Sequence, residues 1–123
     1  MTKNLDNNGL RSIVENYDIF YIDLWGVVHN GITLHKNAIE ALDEITKANK
    51  DYVLLTNAPR PNNSVNLFLE KIGMKKEIRE KVYSSGEASL SYLKKNFVNE
   101  KFFHLGPPRD FDLFLNFKKK QNN

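Results

Sequence analysis

Asp23 and Thr56 are the residues whose types and positions could carry out chemistry. Asp23 ends an apolar, aromatic run, and Thr56-Asn57 ends a second one. A carboxylate that faces a hydroxyl suits phosphoryl transfer, because the carboxylate can attack phosphorus while the hydroxyl hydrogen-bonds an equatorial oxygen. The same carboxylate could instead bind a metal or cap a helix, and Thr56-Asn57 before Pro59 could be ordinary turn chemistry.

The elements that must position these residues alternate between strands and helices. We predict strands at about 19–24, 52–55, 82–83 and 102–105, with the first two buried on both faces. Helices are predicted over 8–16, from Asn37 to about Asn49, from about Asn63 to Gly73, over 87–96, and after Asp110. This order is typical of an α/β fold, a Rossmann-like parallel sheet with alternating helices. Asp23 and Thr56 would then meet at the carboxyl edge of the sheet, where such folds bind ligands.

Three local signals refine these elements. Asn37 followed by Glu40 resembles a capping box at the start of a helix. Gly73 is placed as the C′ residue of the helix before it. Asn30-Gly31 predicts a tight hairpin that would join two short strands into a flap beside the first strand end.

Composition favours a globular protein and disfavours several partners. Of the 123 residues, 41% are hydrophobic and 27% charged, and there is no cysteine for a disulfide or a thiolate metal site. No apolar stretch reaches the ~20 residues of a membrane span, and no signal peptide is visible, so we expect a cytoplasmic protein without a membrane partner. The net charge of +3 comes from Lys118-Lys119-Lys120, so nucleic acid binding by that tail ranks last among the hypotheses.

Several motifs in order along the chain are similar to one family. Ile22-Asp23-Leu24-Trp25-Gly26-Val27-Val28 with Gly31, Leu54-Leu55-Thr56-Asn57, and Ser84-Ser85-Gly86-Glu87-Ala88 resemble the haloacid dehalogenase (HAD) superfamily of phosphohydrolases. The resemblance is to class IIA, the p-nitrophenyl phosphatase and phosphoglycolate phosphatase group, and spans roughly residues 17–117. It implies an incomplete HAD core over 1–98, the first segment of a cap domain over 99–117, and a polar tail over 118–123.

The resemblance also implies roles for individual residues. Asp23 corresponds to the nucleophile, which forms an aspartyl-phosphate, and to a metal ligand. The backbone carbonyl of Trp25 corresponds to a second ligand of Mg²⁺. Thr56 corresponds to the residue that holds the transferring phosphoryl group, and Asn57 to its positioning neighbour. The implied substrate is a small phosphorylated metabolite, and the implied cofactor is Mg²⁺.

Two departures separate this sequence from the family pattern. Trp25 stands where the family normally has the Asp that acts as general acid and base, and losing such a group costs about 10²–10⁴ in rate. The later motifs, a Lys and an acidic pair, are also missing. We therefore expect a truncated or split HAD-type hydrolase whose isolated chain is inactive. The alternative is a catalytically inactive remnant or phosphate-ligand binding module.

The remaining polar residues are interpreted as structural. His29, His35 and His104 lack metal-ligand spacing, and Arg60 is expected to be a solvated loop residue. The serines that begin the helix over 87–96 are explained by helix capping. Because a partial sheet leaves an unpaired strand, we expect self-association through an exposed sheet edge.

Overall fold

The computed structural model describes residues 5–108, 110, 112, 113 and 117. Its strands are β1 (Ile19–Asp23), β2 (Asp51–Thr56) and β3 (Val82–Ser84). Its helices are α1 (Lys36–Lys47), α2 (Asn62–Lys71), the single turn α3 (Lys76–Arg79) and α4 (Ser85–Asn96). Two short 3₁₀ helices, Leu10–Ser12 and Val14–Asn16, replace the predicted leading helix. None of the helices found in these residues is long and apolar enough to cross a membrane.

The three strands form one parallel sheet in the order β1-β2-β3. In the register, Asp23 lies opposite Leu55, and Thr56 lies opposite Ser84. Each crossover carries a helix, as parallel neighbours require. The predicted Rossmann-like α/β class is confirmed, and the first three predicted strands are present within one or two residues of their expected bounds.

The core lies on one face of the sheet, between the strands and helices α1 and α2. Its fully buried side chains include Leu54 of β2, Leu42 and Ile45 of α1, and Leu69 of α2. Burying such a side chain contributes about 1.5–3 kcal/mol. The prediction that β1 and β2 are buried on both faces is wrong, because burial alternates along each strand.

The opposite face of the sheet is exposed in the described structure. It carries apolar and aromatic side chains from all three strands: Ile19, Tyr21, Leu55 and Tyr83. Tyr21 has 67% of its surface accessible. Parallel sheets usually have both faces covered. The residue types on this face are therefore suited to burial, but the described residues cover only the opposite face, on which α1 and α2 pack.

Helix ends follow the predicted signals in part. Gly73 has φ 88° directly after the last residue of the α2 C-terminal turn, which confirms its C′ position. The capping box at Asn37 is wrong, because α1 begins at Lys36 and its N-cap is His35, which makes no side-chain capping bond. Ser84 caps α4 by accepting a hydrogen bond from the Glu87 amide at 3.0 Å, as predicted.

The segment after α4 differs from its prediction. Residues 102–105 form no strand of the described sheet. Leu113 and Phe117 instead pack with Leu90 of α4 in a second, smaller apolar cluster. Phe111 and Phe114 of the predicted last helix lie outside the described residues, as do Arg109 and the polar tail over 118–123.

Candidate active site

The ends of β1 and β2 line a common cavity on the exposed side of the sheet. It has a volume of about 500 Å³. Its polar end contains Asp23, Thr56 and Asn57, the three side chains singled out from the sequence. Its walls are formed by the following strand and α4-start residues: Tyr21, Leu55, Tyr83, Ser84, Ser85 and Ala88. The parallel register brings these residues together, because it aligns the carboxyl ends of all three strands.

Asp23 presents an exposed carboxylate at the end of β1. Its Oδ1 accepts a hydrogen bond from the Leu24 amide at 2.8 Å. The Leu24 carbonyl then accepts hydrogen bonds from the amides of Val28 and His29, which turns the chain sharply away from the strand. The Leu24 amide therefore orients the carboxylate, which is exposed and lines the cavity.

Thr56 and Asn57 end β2 beside this carboxylate. Thr56 Oγ1 accepts a hydrogen bond from the Ala58 amide at 3.3 Å. Because that bond uses a lone pair of the hydroxyl, the hydroxyl hydrogen can still be donated to a ligand. The Asn57 side chain is exposed at the same edge. Together the two residues supply neutral donors next to a carboxylate.

The loop after Asp23 is a compact turn and not the predicted two-stranded flap. It makes only single bridges, Trp25 with His29 and His29 with Leu34. Asn30 does not adopt the positive φ of a type I′ hairpin; its Oδ1 instead accepts hydrogen bonds from the Ile32 and Thr33 amides. A side chain that closes its own turn in this way competes with hairpin pairing.

Trp25 lies on this loop and does not line the cavity. Its ring packs on Gly31, where a Cβ would come within 3.3 Å of the indole, and it meets the His29 ring edge-on. It nevertheless keeps 65% of its surface exposed. Trp25 is thus only partly a packing residue, and its side chain has no group that could transfer a proton.

His29 is a packing residue, as predicted. Only 3% of its surface is exposed, and its ring contacts Phe68 as well as Trp25. Its Nδ1 accepts a hydrogen bond from the Gly31 amide at 3.0 Å. Burial, helped by the charge of nearby His35, lowers the pKa of His29, and Asp23 only partly opposes this. The neutral ring holds the loop in place.

Arg60 lies in the loop after β2 with 43% of its side chain exposed, as predicted, but it also forms an ion pair that the sequence did not predict. Its Nε and Nη2 donate hydrogen bonds to Asp112 Oδ2 at 2.9 and 2.7 Å, and Ser64 Oγ donates to the same oxygen at 2.5 Å. Burial acts to raise the pKa of Asp112, but the hydrogen bonds from Arg60 and Ser64 outweigh it, so the pKa lies below its usual value. No sequence signal could have found this pair, because 52 residues separate its members.

The described residues contain no cluster of three or more acidic, His or Cys side chains that could hold a metal ion. Asp23 and the Trp25 backbone carbonyl, the two ligands that the sequence predicts, lie at the end of β1 and in the loop that follows it. Mg²⁺ commonly keeps several waters and binds through one or two carboxylates together with substrate phosphate. The exposed Asp23 carboxylate, which lines the cavity together with Thr56 and Asn57, fits such a sparse ligand set.

Comparison with known proteins gives one family and a set of related folds. The family model described as haloacid dehalogenase-like hydrolase matches residues 20–117. A hydrolase of the haloacid dehalogenase-like family from Brucella suis is 28% identical in sequence, with a TM-score of 0.72. The match covers 93% of this chain and 41% of the Brucella suis chain. No curated protein matches the chain.

Two further solved structures share the fold at lower identity. The 4-nitrophenylphosphatase from Thermotoga maritima is 22% identical, with a TM-score of 0.67 over 86% of this chain and 41% of its own. A glycerol phosphate phosphatase from Mycobacterium tuberculosis, solved with magnesium, is 20% identical, with a TM-score of 0.62 over 89% and 32%. This chain thus spans about two fifths or less of the length of these relatives.

Proposed function

The chain belongs to the haloacid dehalogenase-like hydrolase family, and on that premise we propose that it is a phosphatase-type hydrolase acting on a small phosphorylated metabolite. The observation that carries the proposal is the shared cavity of Asp23, Thr56 and Asn57 at the ends of neighbouring parallel strands. In this proposal Asp23 is the nucleophile, and Thr56 and Asn57 bind the transferring phosphoryl group.

The proposed reaction has two steps. A carboxylate oxygen of Asp23 attacks phosphorus, the bond to the leaving oxygen breaks, and an aspartyl-phosphate forms. Water then attacks that phosphorus and restores the carboxylate. The Thr56 hydroxyl accepts a hydrogen bond from the Ala58 amide and still has its own hydrogen to donate to a phosphoryl oxygen. A donor in place before the reaction stabilises charge that develops in the transition state.

Mg²⁺ is the proposed cofactor, held by the Asp23 carboxylate and the Trp25 backbone carbonyl. When bound, it would neutralise charge on the phosphoryl oxygens. The relative from Mycobacterium tuberculosis is a glycerol phosphate phosphatase solved with magnesium, which supports the choice of ion by analogy alone.

Trp25 limits how well this site can serve alcohol leaving groups. Its side chain cannot protonate a departing alkoxide, and His29 nearby is buried with its Nδ1 in use. The exposed Trp25 therefore favours a second candidate function, a phosphate-ligand binding module that does not turn over. The two candidates differ in whether Asp23 becomes phosphorylated.

The chain's short match to its relatives supports the proposal that it is a truncated or split form of the class IIA fold. We further propose a cytoplasmic location, and self-association through the outer edge of β1. In the described residues, β1 pairs only with β2, so the other side of β1 is available to a second strand.

Acyl-phosphate trapping tests the proposed function directly. Because the isolated chain is expected not to turn over, Mg²⁺ and p-nitrophenyl phosphate should release at most about one equivalent of nitrophenol and leave a phosphoryl group on Asp23, detected by mass spectrometry after acid quenching. Asp23→Asn should abolish both signals, while Asp43→Asn on α1 is the matched control and should retain them. Phosphate binding without any phosphorylation of Asp23 would select the binding module instead.

A further inference from the structure

The loop that follows Thr56 and Asn57 is clamped by the last residue of β3 and the first turn of α4. We define the clamp as residues 84–87, which contact the loop over residues 58–62. Ser84 Oγ donates a hydrogen bond to the Arg60 carbonyl at 2.5 Å. The Ser84 amide donates to Asn62 Oδ1 at 2.9 Å, and the Asn62 amide donates to Glu87 Oε2 at 3.0 Å. These bonds join two strand ends that are adjacent in the sheet.

Gly86 brings the two backbones into direct contact. Its amide donates to the Ala58 carbonyl at 3.1 Å, and Ser85 Oγ donates to the same carbonyl at 3.0 Å. A Cβ at position 86 would lie 2.6 Å from the Arg60 carbonyl carbon and closer still to the Arg60 backbone N and O. Only glycine allows this approach, so the clamp grips the loop through main-chain atoms.

Ser84 does not act on a ligand itself. Its side chain is 1% exposed, and its hydroxyl is used twice, as donor to Arg60 and as acceptor from the Glu87 amide. The Asn62 side chain is likewise engaged by the Ser84 amide. Both residues therefore act through the backbone that follows Thr56, including the Ala58 amide that binds the Thr56 hydroxyl.

We propose that Ser84 and Asn62 are positioning residues that set the place of Thr56 and Asn57 for phosphoryl binding. The inference rests on the proposed function, because it assigns these residues to the phosphate-binding end of the same cavity. The clamp keeps the loop from relaxing when no ligand is present. A ligand then meets donors that are already in position, and it does not have to order them on binding.

Hydrogen exchange and phosphate titration on the full ¹⁵N-labelled chain test this role together. Ser84→Ala removes two hydrogen bonds, which corresponds to about a tenfold shift in a local opening equilibrium. We expect the Ala58 and Gly86 amides to exchange about tenfold faster. We also expect inorganic phosphate with Mg²⁺, followed through the Thr56 and Asn57 amide shifts, to bind about tenfold more weakly.

Three further variants separate positioning from general stability. Ser89→Ala is the matched control, because Ser89 lies on α4 and its Oγ donates only to the Ser85 carbonyl of its own helix at 2.9 Å. Ile45→Val weakens the core without removing any hydrogen bond of the clamp and should leave phosphate affinity unchanged. Ser84→Thr keeps the hydroxyl and should restore most of the affinity. If Ser84→Ala does not fold, Asn62→Ala removes the other half of the clamp and takes its place.

Each outcome decides between the proposals. Unchanged exchange in both clamp variants overturns the clamp, and faster exchange with unchanged phosphate affinity overturns its positioning role. A loss of affinity in Ile45→Val as large as in Ser84→Ala also overturns it. If the wild-type chain binds no phosphate, the proposed function fails and the positioning role fails with it, while faster exchange would still establish the clamp as a structural feature.

Discussion

Gly86→Ala is the substitution for which the structure gives the sharpest stability prediction. The added methyl group would lie 2.6 Å from the Arg60 carbonyl carbon, whereas non-bonded carbon atoms prefer about 3.5–4.0 Å. The contacted atoms are backbone and cannot rotate aside. The loop and the start of α4 must therefore separate by about 1 Å, which also strains the hydrogen bond between the Gly86 amide and the Ala58 carbonyl.

Two opposing terms determine the size of the effect. Forcing extra volume into a tight contact costs about 1–3 kcal/mol, and losing the Gly86 hydrogen bond adds about 1 kcal/mol. Alanine is better than glycine in a helix by about 1 kcal/mol, and Gly86 lies in the first turn of α4. We expect a net loss of about 2 kcal/mol in the free energy of unfolding. For a domain of this size, that lowers Tm by about 8 °C.

Urea unfolding followed by circular dichroism measures this loss. The denaturation midpoint should fall with an unchanged m value, which would show that the unfolded state is not affected. Ala88→Gly, an exposed site on the same helix, is the control for helix propensity alone and should cost about 1 kcal/mol. A Gly86→Ala chain as stable as the wild type would refute the close approach that the structure describes.

Three further predictions concern the ion pair, the edge strand β1 and the loop after β1. The Asp112 pKa is lowered in the folded chain, so its pair with Arg60 stabilises the fold above the carboxyl pKa of the unfolded chain, about 3.9. This stabilisation is lost as pH falls through the lower pKa of the folded chain. Urea unfolding at pH 6 and pH 3 should therefore show a smaller acid-dependent loss of stability in Asp112→Asn than in the wild type. Tyr21→Lys places a charge in the middle of the edge strand β1, which should disfavour strand pairing there and weaken self-association about tenfold in sedimentation velocity. An unchanged dimer fraction would argue against pairing through that edge. Trp25→Asp should increase the rate of phosphoryl transfer from an alkyl phosphate by about 10²–10⁴ relative to the rate from p-nitrophenyl phosphate. An unchanged ratio of these two rates in quenched-flow assays would show that residue 25 does not face the leaving group.

Much of the fold was predictable because its signals are local. Apolar runs that end in polar residues predicted β1 and β2, and the glycine after the last turn of α2 predicted where that helix ends. Parallel pairing then follows from the alternation of strands and helices. The predicted proximity of Asp23 and Thr56 is therefore a consequence of the parallel topology, which the order of strands and helices in the sequence can indicate. The roles of these residues in catalysis stay predictions.

Other local signals were overridden by nearby competition. Asn30-Gly31 is a hairpin signal, but the Asn30 side chain closes a turn with the Ile32 and Thr33 amides instead. Asn37 and Glu40 match a capping box, yet α1 begins before Asn37, so the pattern lies inside the helix. In each case the residue types were informative, but the same local pattern is compatible with two conformations.

By itself, the sequence determined the α/β class, the order of the elements and the carboxylate at the end of β1, because these depend on residues close together in the chain. Tertiary structure alone decided which face of the sheet is covered, since a strand with apolar residues on both faces looks the same whether or not a layer packs on it. It also decided the partner of Arg60 and the clamp on the Thr56 loop. Those contacts join residues 22 to 52 positions apart, and no spacing rule relates residues that only folding brings together.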